Sequence, residues 1–367
     1  MKYHLLGKSG LRVSELCLGA MTFGEERGWG ASKDECRKIF DAYVNAGGNF
    51  IDTANKYTEG TSEKYIGEFV SSNREQFVLA TKYTSNMRRG DPNAGGNHRK
   101  SLVQSLEGSL KRLNTDYIDL YWVHAWDPLT PVEELMRALD DMVRKGKILY
   151  VGISDAPAWL ISQANTLADQ RGWTPFTGLQ VEYSLLQRTA ERELLPMSNA
   201  LDIGVTAWSP LAGGLLTGKY YNNKKNETQV HQKQEQNASE QGRLIVISSR
   251  SGDPVNIVFK DKDMLIIEEV SKIANEIGCT PAQIALNWIR QQQKGRNRII
   301  PIVGARNAYQ IKQNLECLNF QLTKAQLKRL DDLSKIELGF PHDFLDSEII
   351  RDIIYGGTFA SICNHRS

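Results

Sequence analysis

Long apolar runs, paired cysteines and an excess of charge are all missing from this sequence, and each absence closes off a class of function. No stretch approaches the roughly 20 apolar residues that span a bilayer, and Met1-Lys2-Tyr3-His4 opens without the apolar core of a signal peptide. Neither a membrane role nor export is expected. The five cysteines, Cys17, Cys36, Cys279, Cys317 and Cys363, include no Cys-x-x-Cys pair. That argues against a structural zinc site or a disulfide framework and suits a reducing cytoplasm. Charged residues make up 24% and the formal net charge is +2, so no long-range field gathers nucleic acid or anionic lipid. No Gly-x-Gly-x-x-Gly follows a strand into a helix, so a Rossmann dinucleotide site is not indicated.

What is present is a regular alternation. Two short apolar segments, Tyr3 to Leu6 and Leu11 to Val13, flank Gly7-Lys8-Ser9-Gly10 and predict a hairpin. From Leu16 onward, apolar strands alternate with helical patterns. Strands are expected at Leu16 to Leu18, Phe50 to Asp52, Phe77 to Ala80, Ile118 to Val123, Ile148 to Ile153, Gly178 to Val181, Ile203 to Ala207 and Ile299 to Val303. Residues 188–201 are expected to form one of the intervening helices. Such alternation means a parallel sheet with right-handed crossovers, and eight units favour closure into an α/β (β/α)8 TIM barrel over an open sheet. The expected organisation is a single domain over 1–367. It carries a polar insertion at about 221–262 after the seventh barrel strand and a C-terminal extension at about 334–367. The insertion reads as a mobile surface segment or as a lid over a ligand, and the tail is placed to wall one side of the barrel mouth.

In a barrel of this kind, the strand ends on the C-terminal face converge on one cavity. Here they supply Asp52, Lys82, His124, Ser154, Gln180 and Trp208, with Tyr57 five residues beyond Asp52. Taken singly these are a capping aspartate, a solvated lysine, a core histidine and a surface tyrosine. Taken together they suit carbonyl reduction. A hydride arriving at a carbonyl carbon leaves an alkoxide that needs a proton. A phenol with an ordinary pKa of about 10 gives one poorly unless a nearby ammonium favours its ionised form. Tyr57 is therefore the candidate general acid, Lys82 its tuning cation and Asp52 the carboxylate that holds Lys82. His124 would donate to the carbonyl oxygen and orient it.

The segments Asn-Phe-Ile-Asp-Thr-Ala-Asn-Lys-Tyr (49–57), Ala-Thr-Lys-Tyr (80–83), Trp-Val-His (122–124), Gly-Ile-Ser-Asp (152–155), Gln-Val-Glu-Tyr (180–183), Ala-Trp-Ser-Pro-Leu (207–211) and Gly-Ala-Arg-Asn-Ala-Tyr-Gln (304–310) occur in this order. With them the chain resembles the aldo-keto reductase superfamily over residues 3 to about 330. Asn97 to Leu102 and Ser154 to Trp159 look most like its aryl-alcohol dehydrogenase-like branch. The resemblance implies NADP(H) laid extended across the barrel mouth, with Met21 and Asp52 beside it and Ser154 and Gln180 on the carboxamide. Trp208 would stack on the nicotinamide. Ser209, Pro210, Leu211, Gly213 and Lys219 would line the pyrophosphate. Gly304, Arg306, Gln310, Gln313 and Asn314 would take the adenosine end, with the last helix's N-terminal amides favouring a 2′-phosphate. Some members place a Lys near Gly304 and an Arg near Gln310 to grip that phosphate. This chain has neither, and Arg306, with Arg243 from the insertion, is expected to compensate.

Phe23, Trp29 and Trp126 lie on loops after the first and fourth barrel strands and read either as loop packing or as an apolar pocket for aromatic or medium-chain aldehydes. No Arg or Lys cluster flanks them in the sequence to demand an anionic substrate. Two other readings stand beside that of a reductase of small-molecule carbonyls. One is a nicotinamide-binding regulatory subunit resembling potassium-channel β subunits, against which His124 argues. The other is a metal-dependent lyase or isomerase, for which only His124 and Asp52 are well placed, so no metal site is expected. No feature sets an oligomeric state.

Overall fold

The computed structural model of the chain describes residues 1–219, 260–294 and 297–363. The expected insertion, including Arg243, lies almost wholly outside the described residues. Eight parallel strands close on themselves: β3 (Cys17–Gly19), β4 (Phe50–Asp52), β5 (Val78–Tyr83), β6 (Ile118–Val123), β7 (Ile148–Ser154), β8 (Phe176–Glu182), β9 (Gly204–Trp208) and β11 (Asn297–Gly304). β11 pairs with both β9 and β3, which closes the ring. The fold is the (β/α)8 barrel expected from the alternation. An antiparallel hairpin of β1 (Tyr3–Leu5) and β2 (Arg12–Ser14) precedes it, and β10 (Gln293–Lys294) adds a short antiparallel edge to β11.

Strand parity decides what faces the barrel interior, because side chains two apart share a face. Cys17, Phe50, Val78, Ala80, Leu120, Trp122 and Ile300 form an inner apolar cluster, which Leu6 and Val13 of the hairpin segment join. Trp122 leaves no room opposite: a Cβ at Gly152 would sit 2.3 Å from its ring and one at Gly178 2.8 Å. Two residues further along each strand, on the same inward face, come Asp52, Lys82, His124, Ser154, Gln180 and Trp208. The packed floor and the site above it follow from one alternation.

The outer layer is helical. α1 (Lys33–Asn45) starts at Ser32, whose hydroxyl accepts from the Glu35 amide, and buries Cys36, Ile39, Phe40 and Tyr43. α2 (Thr61–Val70), α3 (Arg99–Leu113), α4 (Val132–Arg144) and α5 (Ala158–Arg171) follow, and α3 buries Leu102, Leu106, Leu110 and Leu113. The expected helix over 188–201 is interrupted. A 3₁₀ turn, Thr189–Glu191, comes first, and α6 spans only Leu194–Ala200. Pro196 is the cause: its ring is tolerated only in a first helical turn and would collide with the Arg192 carbonyl if the helix began upstream. α7 (Asp261–Ile277), α8 (Pro281–Gln291), α9 (Ala308–Leu315) and α10 (Lys324–Ser334) complete the wall.

The tail adds α11 (His342–Leu345) and α12 (Glu348–Tyr355). It is tied down by His342 against Glu193 at 3.0 Å and by Arg192 donating to the Glu337 carbonyl. None of its described residues reaches the barrel cavity, so the expected tail wall is not formed by them. Among the described residues, no helix is long and apolar enough to cross a membrane.

Candidate active site

A cavity of about 730 Å³ opens over the C-terminal ends of the strands. At one end, the Lys82 ammonium sits fully buried between three acceptors. It forms an ion pair with Asp52 Oδ2, donates to the Thr53 carbonyl at 2.8 Å and lies 3.2 Å from the Tyr57 hydroxyl. Gln180 Nε2 donates to the other Asp52 oxygen at 3.1 Å. Asp52 pairs across to Ala80 in the sheet, and Lys82 projects from the same face of β5 two residues on, which is why the two side chains meet.

Tyr57 is delivered by an unusual turn. Thr58 and Glu59 adopt left-handed backbone, with φ of 46° and 51°. That is costly for a β-branched threonine and persists only where its surroundings hold it. The Thr58 hydroxyl donates to the Phe23 carbonyl, and the Ser62 amide donates back to that hydroxyl at 3.2 Å. The turn is thereby fastened to the loop after β3. His124 meets Tyr57 edge-on, with ring centroids 6.0 Å apart.

The electrostatics of the group follow from burial and from Lys82. Burial alone would depress the Lys82 ammonium, but Asp52 and its hydrogen bond reverse this and hold it above the ordinary value. Burial pushes the Tyr57 phenol up; Lys82 pulls it down without overcoming that, and Asp52 adds to the rise. The expectation of a net-acidified tyrosine is therefore corrected: Lys82 acts in the expected direction and desolvation outweighs it. His124 is pushed down to about 3 by burial, then by Lys82 and Arg27, so its imidazole is neutral near neutral pH. Its Nδ1 is buried without a hydrogen-bond partner among the described residues.

Of the expected site residues, Met21, Trp29, Asp52, Tyr57, His124, Ser154, Gln180, Trp208, Ser209, Pro210, Leu211, Gly213, Lys219, Gly304, Arg306, Gln310, Gln313 and Asn314 line this one cavity. Lys82 stands behind it. Phe23 does not belong there: it is fully buried and packs edge-on against Phe69 in the outer core. Trp126 is half-buried against the core and also lies off the cavity wall.

Several lining groups escaped the sequence reading. Asp155, in left-handed backbone at φ 47°, accepts from the Trp208 indole at 3.2 Å. Thr22 reaches across to the Ala305 carbonyl at 2.6 Å. Thr280 and Pro281, at the start of α8, also line the wall. Asp155 was legible as the next residue in Gly-Ile-Ser-Asp. Thr280 and Pro281 arrive through helix packing that no local pattern announces.

The loop after β9 bends around the cavity through left-handed Ser209, Ala212, Gly213 and Gly214. Lys219 and Arg306 border the same space. Burial depresses the Lys219 ammonium and the Arg306 charge depresses it further, so an anion between these cations would relieve both costs. The N-terminal amides of α9 are largely occupied. Ala308 donates to Glu35, Gln310 to Asn307, and the Arg306 amide to the Gln310 side chain. An anion at this end would meet side chains more than helix amides.

The sequence model of the Aldo/keto reductase family matches residues 15–335. This chain belongs to the aldo/keto reductase family. Its relatives include the norsolorinic acid reductase of Aspergillus flavus, 35% identical over 357 residues, covering 94% of this chain and 84% of that relative. An aryl-alcohol dehydrogenase of Pestalotiopsis microspora is 34% identical, covering 94% and 85%. An aryl-alcohol dehydrogenase [NADP(+)] of Phanerodontia chrysosporium is 34% identical over 348 residues, covering 91% and 86%. As an aldo/keto reductase, the chain sits among oxidoreductases of small carbonyl compounds that use nicotinamide cofactors.

Proposed function

We propose that this chain reduces aldehydes or ketones, aromatic or medium-chain aldehydes foremost, to alcohols with NADP(H), and that Tyr57 is the general acid. The observation that carries this reading is the Asp52–Lys82–Tyr57 chain of contacts ending beside His124 on the wall of one elongated cavity. The residues present fit the cofactor. Ser154 and Gln180 offer polar groups at the Tyr57 end, and the Gln180 carbonyl oxygen remains available because only its Nε2 is engaged by Asp52. Trp208 offers an indole face fixed by Asp155. Lys219 and Arg306 offer positive charge for phosphates at the other end. A bound nicotinamide would supply the hydride.

The chain's own residues do the rest. A neutral His124 donates to the substrate oxygen and fixes it near the Tyr57 hydroxyl. Tyr57 gives its proton to that oxygen as negative charge builds there. Lys82, held charged by Asp52, stabilises the phenolate left behind. Burial keeps the phenol protonated until substrate charge develops, which suits a group that acts as an acid.

The test mixes the purified protein with NADPH and 4-nitrobenzaldehyde and follows the cofactor absorbance. Wild type is expected to consume NADPH. Tyr57→Phe should lose about 10²–10⁴-fold in kcat/KM while still binding NADPH. A Phe variant that reduces as fast as wild type would remove Tyr57 from the acid role.

A further inference from the structure

Arg27 has no part in the chemistry above, yet the loop after β3 brings it beside the reacting end of the cavity. Its guanidinium carbon lies 6.0 Å from the Tyr57 ring centroid and 5.9 Å from that of Trp29, and both rings line the cavity. Its positive charge acts on both Tyr57 and His124. The side chain is half-buried and donates once, from a terminal nitrogen to the Lys56 carbonyl at 3.1 Å. Among the described residues it forms no ion pair. The neighbouring charges are engaged elsewhere: Lys56 pairs with Glu59, and Glu26 accepts from Thr61. Asp52 is neutralised by Lys82. Arg27 itself stands just behind the lining residues, while the Asp155 carboxylate on that wall is engaged by the Trp208 indole; the guanidinium lies within cation–π range of two lining rings and keeps donors beyond its bond to Lys56.

A guanidinium beside two rings suits a carboxylate, since its remaining N–H groups can donate to both oxygens of one anion. We propose that Arg27 is a specificity residue that selects carbonyl substrates bearing a carboxylate or similar anionic group. This rests on the carbonyl-reductase reading and narrows its substrate class. The sequence showed no cluster of cations here; one arginine, placed by the fold, takes that part.

The experiment compares kcat/KM for 3- and 4-carboxybenzaldehyde with the methyl ester of each, at low salt, in wild type, Arg27→Met and Arg27→Gln. In wild type at least one acid should exceed its ester by roughly tenfold, as expected for a charge-assisted hydrogen bond. That ratio should fall toward one in both variants, and in wild type at about 0.5 M salt. The acid-to-ester ratio cancels any general effect of Arg27 on Tyr57 or His124. If wild type shows no acid preference for either isomer, or the variants keep it, the proposal is overturned. If neither acid nor ester consumes NADPH in wild type, it is the reductase reading that fails. The salt comparison needs no variant: an acid preference that survives about 0.5 M salt overturns the proposal even should both substitutions misfold.

Discussion

Gln180 and Asp52, 128 residues apart in the chain, meet across the barrel at 3.1 Å, while Lys82 binds the other oxygen of the same carboxylate. Asp52 is thus held from two strands and Lys82 is held by Asp52. Removing the amine alone leaves a nearly sealed carboxylate with only Gln180 for company. Lys82→Met should therefore cost about 3–5 kcal/mol of stability, in line with breaking one side of a buried pair. The double variant Asp52→Asn/Lys82→Met should recover a good part of that, because no charge is stranded. Urea unfolding of the two variants checks this, and equal losses would mean that the pair is less coupled than its geometry indicates. Neither variant should reduce aldehydes at more than a small fraction of the wild-type rate.

The pH behaviour follows from His124 and Tyr57. With its imidazole held down to about 3, His124, the proposed donor to the substrate oxygen, does not titrate near neutrality, and the phenol is pushed above its ordinary value. The kcat/KM for reduction should stay flat from about pH 5 to 9 and decline only as the phenol ionises. Stability moves in the acid range. Between about pH 6.5 and 3 the unfolded chain protonates His124 and the folded chain does not, so stability falls as pH falls through that window. A His124→Gln variant should show a shallower loss over the same window, measured by urea midpoints at stepped pH.

The barrel, its strand ends and most of the residues that meet at the cavity were legible because each rests on a short-range signal. Apolar strand runs alternating with helical patterns placed Asp52, Lys82 and His124 at the C-terminal strand ends before any packing was known. Loop residues lacked such a signal. Phe23 and Trp29 read alike in sequence, yet one turned into the core against Phe69 and the other faced the cavity. Arg27 gained its setting only when Tyr57 and Trp29 met it in space. The break before Leu194 was readable in principle from Pro196, whose constraint is local.

The divergence of Phe23 and Trp29 is itself testable. Phe23→Ala should act as a core truncation, costing about 3–5 kcal/mol, with the relative kcat/KM values across aryl aldehydes unchanged. Trp29→Ala removes a cavity wall instead. It should raise KM for aryl aldehydes about tenfold or more relative to a short aliphatic aldehyde. Thermal unfolding combined with a small aldehyde panel separates the two. A Phe23 variant that reshuffles substrate preference would return that residue to the pocket.

On the proposed reading, cofactor preference turns on Arg306. The Lys and Arg that grip a 2′-phosphate in some family members are absent here, and most amides at the start of α9 are occupied by Glu35, Asn307 and Gln310. Among the described residues, Arg306 and Lys219 are the cations that line the cavity, close enough for the charge of one to depress the other. An anion held against Arg306 should stabilise both. Arg306→Ala should weaken NADPH binding by at least tenfold, as expected for the loss of a charge-assisted contact, and leave NADH binding nearly unchanged. The same variant should flatten the salt dependence of NADPH affinity, because one screened charge has gone. Fluorescence titrations with both cofactors at two salt concentrations provide the measurement. Equal weakening of NADPH and NADH would place Arg306 on the shared pyrophosphate and leave the 2′-phosphate to another group.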